Sequence, residues 1–186
     1  TGKNNIKLLG AGRCRTSAHA CPAILAPSGG DGLTFQGSTG DILENFRINA
    51  AATNARGIVL SSWNFNATQP GAIATIAFNA IVNPNSYGIL ITGQSQALIS
   101  HNVIIGSVNA SGIGMQQGPP GNPTQATIAS DEIANNGPPS SGPNTGGSGI
   151  EAIASGLSNM GGNDIGDNAR MGIVGAGHAR MARSAR

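Results

Sequence analysis

The sequence is poor in charge and in aromatic rings: of its 186 residues, 10% are Asp, Glu, Lys or Arg and 3% are Phe, Trp or Tyr. With so few rings, a core has to be built from Ile, Leu, Val and Ala. Basic residues are absent between Arg56 and Arg170, an interval that carries Asp131, Glu132, Glu151, Asp164 and Asp167. Neutralising phosphates takes Lys and Arg, so no nucleic-acid groove is expected there. No stretch approaches the roughly 18 consecutive apolar residues of a membrane-spanning helix, and no membrane span is expected. The only cysteines, Cys14 and Cys21, suit either a small disulfide loop of an exported protein or two free thiols.

Glycine is abundant, with 29 residues, and proline adds 10, so the chain is rich in turns. The length fits one domain, read as residues 1–176, with a basic tail at 177–186. A Gly followed by an apolar residue recurs at Gly32, Gly57, Gly88, Gly112, Gly149 and Gly172, with gaps of 25, 31, 24, 37 and 23 residues. After most of these comes a second signature: ILENFRI, IAFNAI, ISHNVI, IASDEI and the less regular NMGGNDI. Its Ile-x-x-Asn-x-Ile form, with Asp131 replacing Asn in one copy, predicts a bend that visits the left-handed region. Stacked on neighbouring rungs, Asn79, Asn102 and Asp131 would form a hydrogen-bonded ladder.

Apolar residues alternate within each unit and never run at helical spacing for three turns, which marks short strands. Units of about two dozen residues cannot bury an apolar face alone and must stack. The fold class read from this pattern is all-β, a parallel β-helix of six or seven rungs. An antiparallel sandwich would need clean Asn-Gly or Asp-Gly hairpins, which are lacking.

The opening NNIKLLGAGRCRT, with DGLTFQG and ILENFRI, resembles the early rungs of the right-handed β-helix, pectate-lyase-like superfamily found in phage tailspikes and polysaccharide-degrading enzymes. The likeness runs from residue 4 to about residue 175. It implies a right-handed coil, a polysaccharide partner, an extracellular or virion-associated setting and, as in phage fibres, side-by-side homotrimers. The family's upstream strand and helix with an Asp-Asp-Thr segment is missing, and the first residue is Thr, so the chain is expected to be N-terminally incomplete. The scaffold hosts lyases, hydrolases and inert fibres alike, so activity has to be argued from side chains.

The residue after the ladder Asn should point outward, giving a column of Ala80, Val103, Glu132 and Asp164. Glu132 and Asp164 then become neighbours on successive rungs and a candidate catalytic pair, in the manner of retaining glycosidases. The alternatives are a hard-cation site such as Ca2+, with Asp167 as third oxygen donor, and two solvated surface acids without a task. A polyuronate lyase is disfavoured, because residues 57–169 supply no basic proton abstractor. Two long excursions, 61–71 and 116–125, and a short bend at 92–96 leave the same strand of the repeat. Read as walls of a groove beside the acidic column, they offer Trp63, Gln94 and Gln116 as sugar-binding residues. His101 is read as a hydrogen-bonded bend residue. Finally, the outward column Thr34, Val59, Leu90, Gly114, Glu151 and Val174 suggests an apolar stripe at Val59 and Leu90, open to a second chain or covered by a terminal loop.

Overall fold

The computed structural model describes residues 3–12, 14, 21, 23–62, 69–116, 124–137, 147–153, 156–169 and 172–176. Eighteen strands, numbered in chain order, form three parallel six-stranded sheets in which each strand pairs with those three before and three after it. Sheet A holds β1 (Lys7–Leu9), β4 (Thr39–Glu44), β7 (Ile73–Ala77), β10 (Gln96–Ser100), β13 (Gln125–Ala129) and β16 (Gly156–Gly161). Sheet B holds β2 (Ala23–Leu25), β5 (Phe46–Ile48), β8 (Ala80–Val82), β11 (Val103–Ile105), β14 (Glu132–Ala134) and β17 (Asp164–Gly166). Sheet C holds β3 (Leu33–Gln36), β6 (Ile58–Ser61), β9 (Ile89–Ile91), β12 (Ile113–Met115), β15 (Ile150–Ile153) and β18 (Ile173–Ala176). One strand from each sheet makes a rung, and six rungs make a parallel β-helix. Among the described residues no helix is long and apolar enough to cross a membrane.

The interior is a set of aliphatic columns. In sheet A, Leu43, Ile76, Ile99 and Ile128 stack in register; in sheet B, Ile48, Ile81, Ile104 and Ile133; in sheet C, Ile58, Ile89, Ile113 and Ile150. All twelve are fully buried. Burying each such side chain contributes roughly 1.5–3 kcal/mol relative to exposure, which is why no rung is stable without its neighbours.

The recurring glycines open sheet C, and their cause is steric. None of Gly32, Gly57, Gly88, Gly112, Gly149 and Gly172 has a positive φ. A Cβ built on Gly57 would stand 2.5 Å from the carbonyl oxygen of Gly88 and 2.5 Å from Ile81 Cγ2; on Gly88 it would meet Ile104 Cγ2 at 2.5 Å. At Gly32, Gly57, Gly88, Gly112 and Gly149 sheet C therefore starts hard against the inward isoleucines of sheet B and only glycine fits, whereas at Gly172, on the last rung, a Cβ would meet Ile165 Cγ2 at an ordinary 3.5 Å.

Left-handed backbone belongs instead to the residue before the ladder position. Asn45, Phe78, His101, Ser130 and Gly162, all at the A–B corner, have φ between 56° and 66°. The next residue turns inward. Asn79 Nδ2 donates to Leu43 O, to Ala77 O and to Asn102 Oδ1; Asn102 Nδ2 donates to Ile76 O, Ser100 O and Asp131 Oδ1. The backbone N–H of each member bonds the side chain above it, through Asn79, Asn102, Asp131 and on to Asn163. The ladder is thus four residues long, one more than the repeat suggested.

Cys14 and Cys21 form a disulfide, which resolves the two readings of their spacing. Cys21 packs against Ala80 and Val82 on the outside of sheet B, with Cys14 beside it.

Candidate functional site

The outward column of sheet B runs Ile24, Arg47, Ala80, Val103, Glu132 and Asp164. Glu132 is the Cα partner of Asp164, so their backbones lie about 4.8 Å apart, the spacing of adjacent strands. Both side chains are exposed. The irregular NMGGNDI rung does not slip at this point, for Ile133 remains opposite Ile165. Its extra residue is absorbed one strand earlier, where the pairing of β13 with β16 shifts between Ala126 and Thr127.

Asp167 does not join the pair. It sits past the end of β17 at the B–C corner, in the left-handed conformation with φ 51°. Among the described residues no three His, Cys, Asp or Glu side chains gather to hold a metal ion. The three-oxygen cation site therefore does not form, because the third carboxylate is taken up by the next bend.

The proposed sugar-binding residues are dispersed as well. Gln94 occupies the Gly93–Gln94 turn between β9 and β10, with φ 50°. Gln116 follows β12, and its backbone N–H donates to Ile91 O. Both belong to the corner joining sheet C to sheet A, the one corner that sheet B does not touch. They share no face with Glu132 and Asp164, which corrects the expectation of a single groove beside the acidic column. Trp63, most of the two long excursions and the basic tail lie outside the described residues.

Val59 and Leu90 point away from the core as the period requires, yet they are 0% and 4% exposed. Atoms of this chain itself cover them, so the stripe is not open to a second chain.

A polar cluster on sheet C was not foreseen. The Tyr87 ring lies over Gly114, where an added Cβ would come within 2.5 Å of its Cδ1. Tyr87 Oη donates to Glu151 Oε2 at 3.4 Å, and Ser111 Oγ donates to the same oxygen at 3.0 Å. Burial pushes the Tyr87 hydroxyl pKa up, the Glu151 charge adds to this, and a hydrogen bond with the Gln116 side chain opposes it. The signal was present: Gly114 interrupts a column of larger side chains and leaves a space the size of a ring. Gln116 is thereby engaged with Tyr87.

Asp131 is the buried acid next to the candidate pair. Its Oδ1 accepts from Asn102 N at 2.7 Å and from Asn102 Nδ2 at 2.9 Å, whereas its Oδ2 is buried without a partner. Burial pushes its carboxyl up to about 6, against the opposing pull of the Asn102 donors and the His101 charge. His101 itself precedes Asn102 at the bend, and its ring stacks on that of Phe78 with centroids 4.8 Å apart.

Comparison of the chain with protein-family models, with curated proteins and with solved structures returns no match.

Proposed function

We propose that this chain is an extracellular polysaccharide-binding β-helix in which Glu132 and Asp164 hydrolyse a glycosidic bond. The observation that carries the reading is the register of two exposed carboxylates on successive rungs. Retaining glycosidases place their two carboxyl groups roughly 5–5.5 Å apart, one as acid and then base, the other as nucleophile. Adjacent strands spaced about 4.8 Å apart supply that separation without any special loop. One carboxylic acid protonates the departing glycosidic oxygen while the other carboxylate attacks the anomeric carbon; water then releases the sugar, with the first group acting as base. The Cys14–Cys21 disulfide accords with an oxidising, extracellular setting.

The alternative is a non-catalytic structural or adhesive fibre segment, in which the acids only keep the rod soluble. Incubation with capsular and cell-wall polysaccharides, followed by product analysis, separates the two. The enzymatic reading expects shorter products from at least one glycan and a loss of about a thousandfold in Glu132→Gln. An uncut panel, or full cleavage by Glu132→Gln, would sink it in favour of the fibre.

A further inference from the structure

The outer face of sheet A carries an open groove of about 350 Å3 that crosses four rungs, from β4 to β13. Strands β7, β10 and β13 each contribute two outward side chains with an inward residue between them, and β4 adds Gly40, Asp41 and Ile42. The paired outward residues are Ile73 and Thr75 on β7, Gln96 and Leu98 on β10, and Gln125 and Thr127 on β13. Between these walls the inward residues are alanines, such as Ala97. The rungs of β7, β10 and β13 thus each present at least one hydroxyl or amide, and the first two of these pair it with an aliphatic group. Ile73 and Leu98 are 43% and 46% exposed, so their apolar surface is open to a ligand in the groove. None of the four polar side chains is hydrogen-bonded to another described residue.

The groove bears no ionised side chain open to a ligand. Asp41 contributes to its lining, yet it is 1% exposed and accepts the Ile6 N–H through Oδ1. One edge strand of the groove is bulged, Gly40 being the extra residue of β4 between Thr39 and Asp41, and β16, which pairs with the other edge strand β13 outside the groove, shifts register against it. Bulges bend a strand locally and are common beside functional sites.

Toward sheet B the surface drops to small side chains, Ser100 and Ala129, and then reaches the A–B corner. There Phe78 and His101 stack on successive rungs, their ring planes 22° apart. Phe78 holds φ 56°, where Asn, Ser or Gly stands on other rungs. A bulky aromatic residue in the left-handed region is a strained choice, and such outliers cluster at ligand sites. Beyond this corner, on the outward column that follows, lie Glu132 and Asp164.

We propose that the sheet A groove, together with the Phe78–His101 stack, binds an uncharged polysaccharide chain and leads it round the corner to Glu132. A row of amides and hydroxyls interleaved with exposed aliphatic groups and ending on an aromatic surface matches a ligand whose rings carry hydroxyls on their edges and C–H groups on their faces. The absence of open charge in the groove, with an acidic pair beyond it, selects a neutral chain over an acidic one. Only delivery to Glu132 rests on the hydrolase reading; binding in the groove stands apart from it.

The test is a binding titration of the full chain against dextran, galactomannan and xyloglucan as neutral probes, with alginate and polygalacturonate as acidic ones. The wild type is expected to bind at least one neutral probe and neither acidic one. The double substitution Gln96→Ala with Gln125→Ala should weaken that binding at least tenfold. Phe78→Asn should weaken it about fivefold while folding normally, since Asn tolerates this backbone conformation. Glu132→Gln should leave affinity within twofold while cleavage stops. Neutral binding that survives both groove variants unchanged, or binding of acidic probes alone, overturns the groove even if cleavage at Glu132 stands. A wild type that neither binds nor cuts any probe overturns the functional reading and the groove with it.

Discussion

The two corners of sheet B use the same device in different surroundings. At the A–B corner of the last four rungs a left-handed residue is followed by an inward ladder residue, and two residues separate the strands, as in Phe78–Asn79, His101–Asn102 and Ser130–Asp131. At the B–C corner Asn83, Gly106, Asn135 and Asp167 take the left-handed role. Asn136 and Asn168 then form a second ladder, with Asn136 Nδ2 and N both donating to Asn168 Oδ1. There the chain does not enter the next strand at once: 6 residues separate β8 from β9, whereas 15 separate β14 from β15. A corner in which both residues are committed to the ladder cannot take an insertion. One in which the loop begins after the ladder residue can. Rigid placement is therefore available on the rungs whose A–B corner carries the ladder, where Glu132 and Asp164 begin their strands, whereas the first rung, which has no ladder residue, takes 13 residues between β1 and β2.

The sharpest break in that comparison is Asn102→Leu. Asn102 is 1% exposed; its Oδ1 accepts from Asn79 N and Nδ2, and its Nδ2 donates to Ile76 O, Ser100 O and Asp131 Oδ1. Leucine fills the volume but strands several buried groups, each worth roughly 1–3 kcal/mol when left without a partner. A loss of about 4 kcal/mol is expected, read as a lower urea midpoint. A midpoint within experimental error of wild type would show that the A–B ladder is not the rigid element argued here.

A substitution in the opposite direction comes next. Asp131 places an unpartnered Oδ2 in a ladder whose Asn members use an amide nitrogen to reach carbonyl oxygens. Its carboxyl is raised from the ordinary 3.8 to about 6, so between these values the folded chain holds a proton that the unfolded chain has released. The contribution of Asp131 to stability is therefore most favourable below about pH 4, falls as pH rises through this window and levels off above about 6. Above the window, ionised Asp131 costs on the order of 3 kcal/mol. Asp131→Asn should raise the urea midpoint at pH 8 and remove this part of the pH dependence. A variant equal to wild type at pH 8, or less stable, would contradict a protonated acid in the ladder.

The first ladder was legible because its Asn or Asp sits between two isoleucines at a constant offset. The second was not, although the signal exists: ANN at 134–136 and GDN at 166–168 both follow an inward isoleucine. The loop of variable length that follows hides their equivalence. Glycine positions were legible, but not their cause; the collision of Gly57 with Ile81 depends on how closely two sheets meet, which strand periodicity does not encode. Alternation likewise placed Val59 and Leu90 outward without showing that the chain covers them. The expected groove failed for a topological reason. Sequence order identifies which strands the long excursions join, but only closure of the rung sets the C–A corner opposite sheet B, taking Gln94 and Gln116 away from Glu132.

The mildest test returns to the B–C corner. Asn168 offers the same kind of amide as Asn102, yet it is half-buried, and among the described residues its Nδ2 donates to Ile133 O alone, at 3.0 Å. Water can reach a half-buried corner and replace part of what alanine removes, so desolvated orphans are fewer. Asn168→Ala should therefore cost about 1 kcal/mol, a quarter of the effect at Asn102. Native-state hydrogen exchange adds a spatial readout: the amide of Asn136, which donates to Asn168 Oδ1, should lose protection, while that of Asn102, which donates to Asp131, should keep it. Equal costs at the two corners, or deprotection spreading to Asn102, would mean that the ladders act as one unit and that the A–B corner owes no special rigidity to its burial.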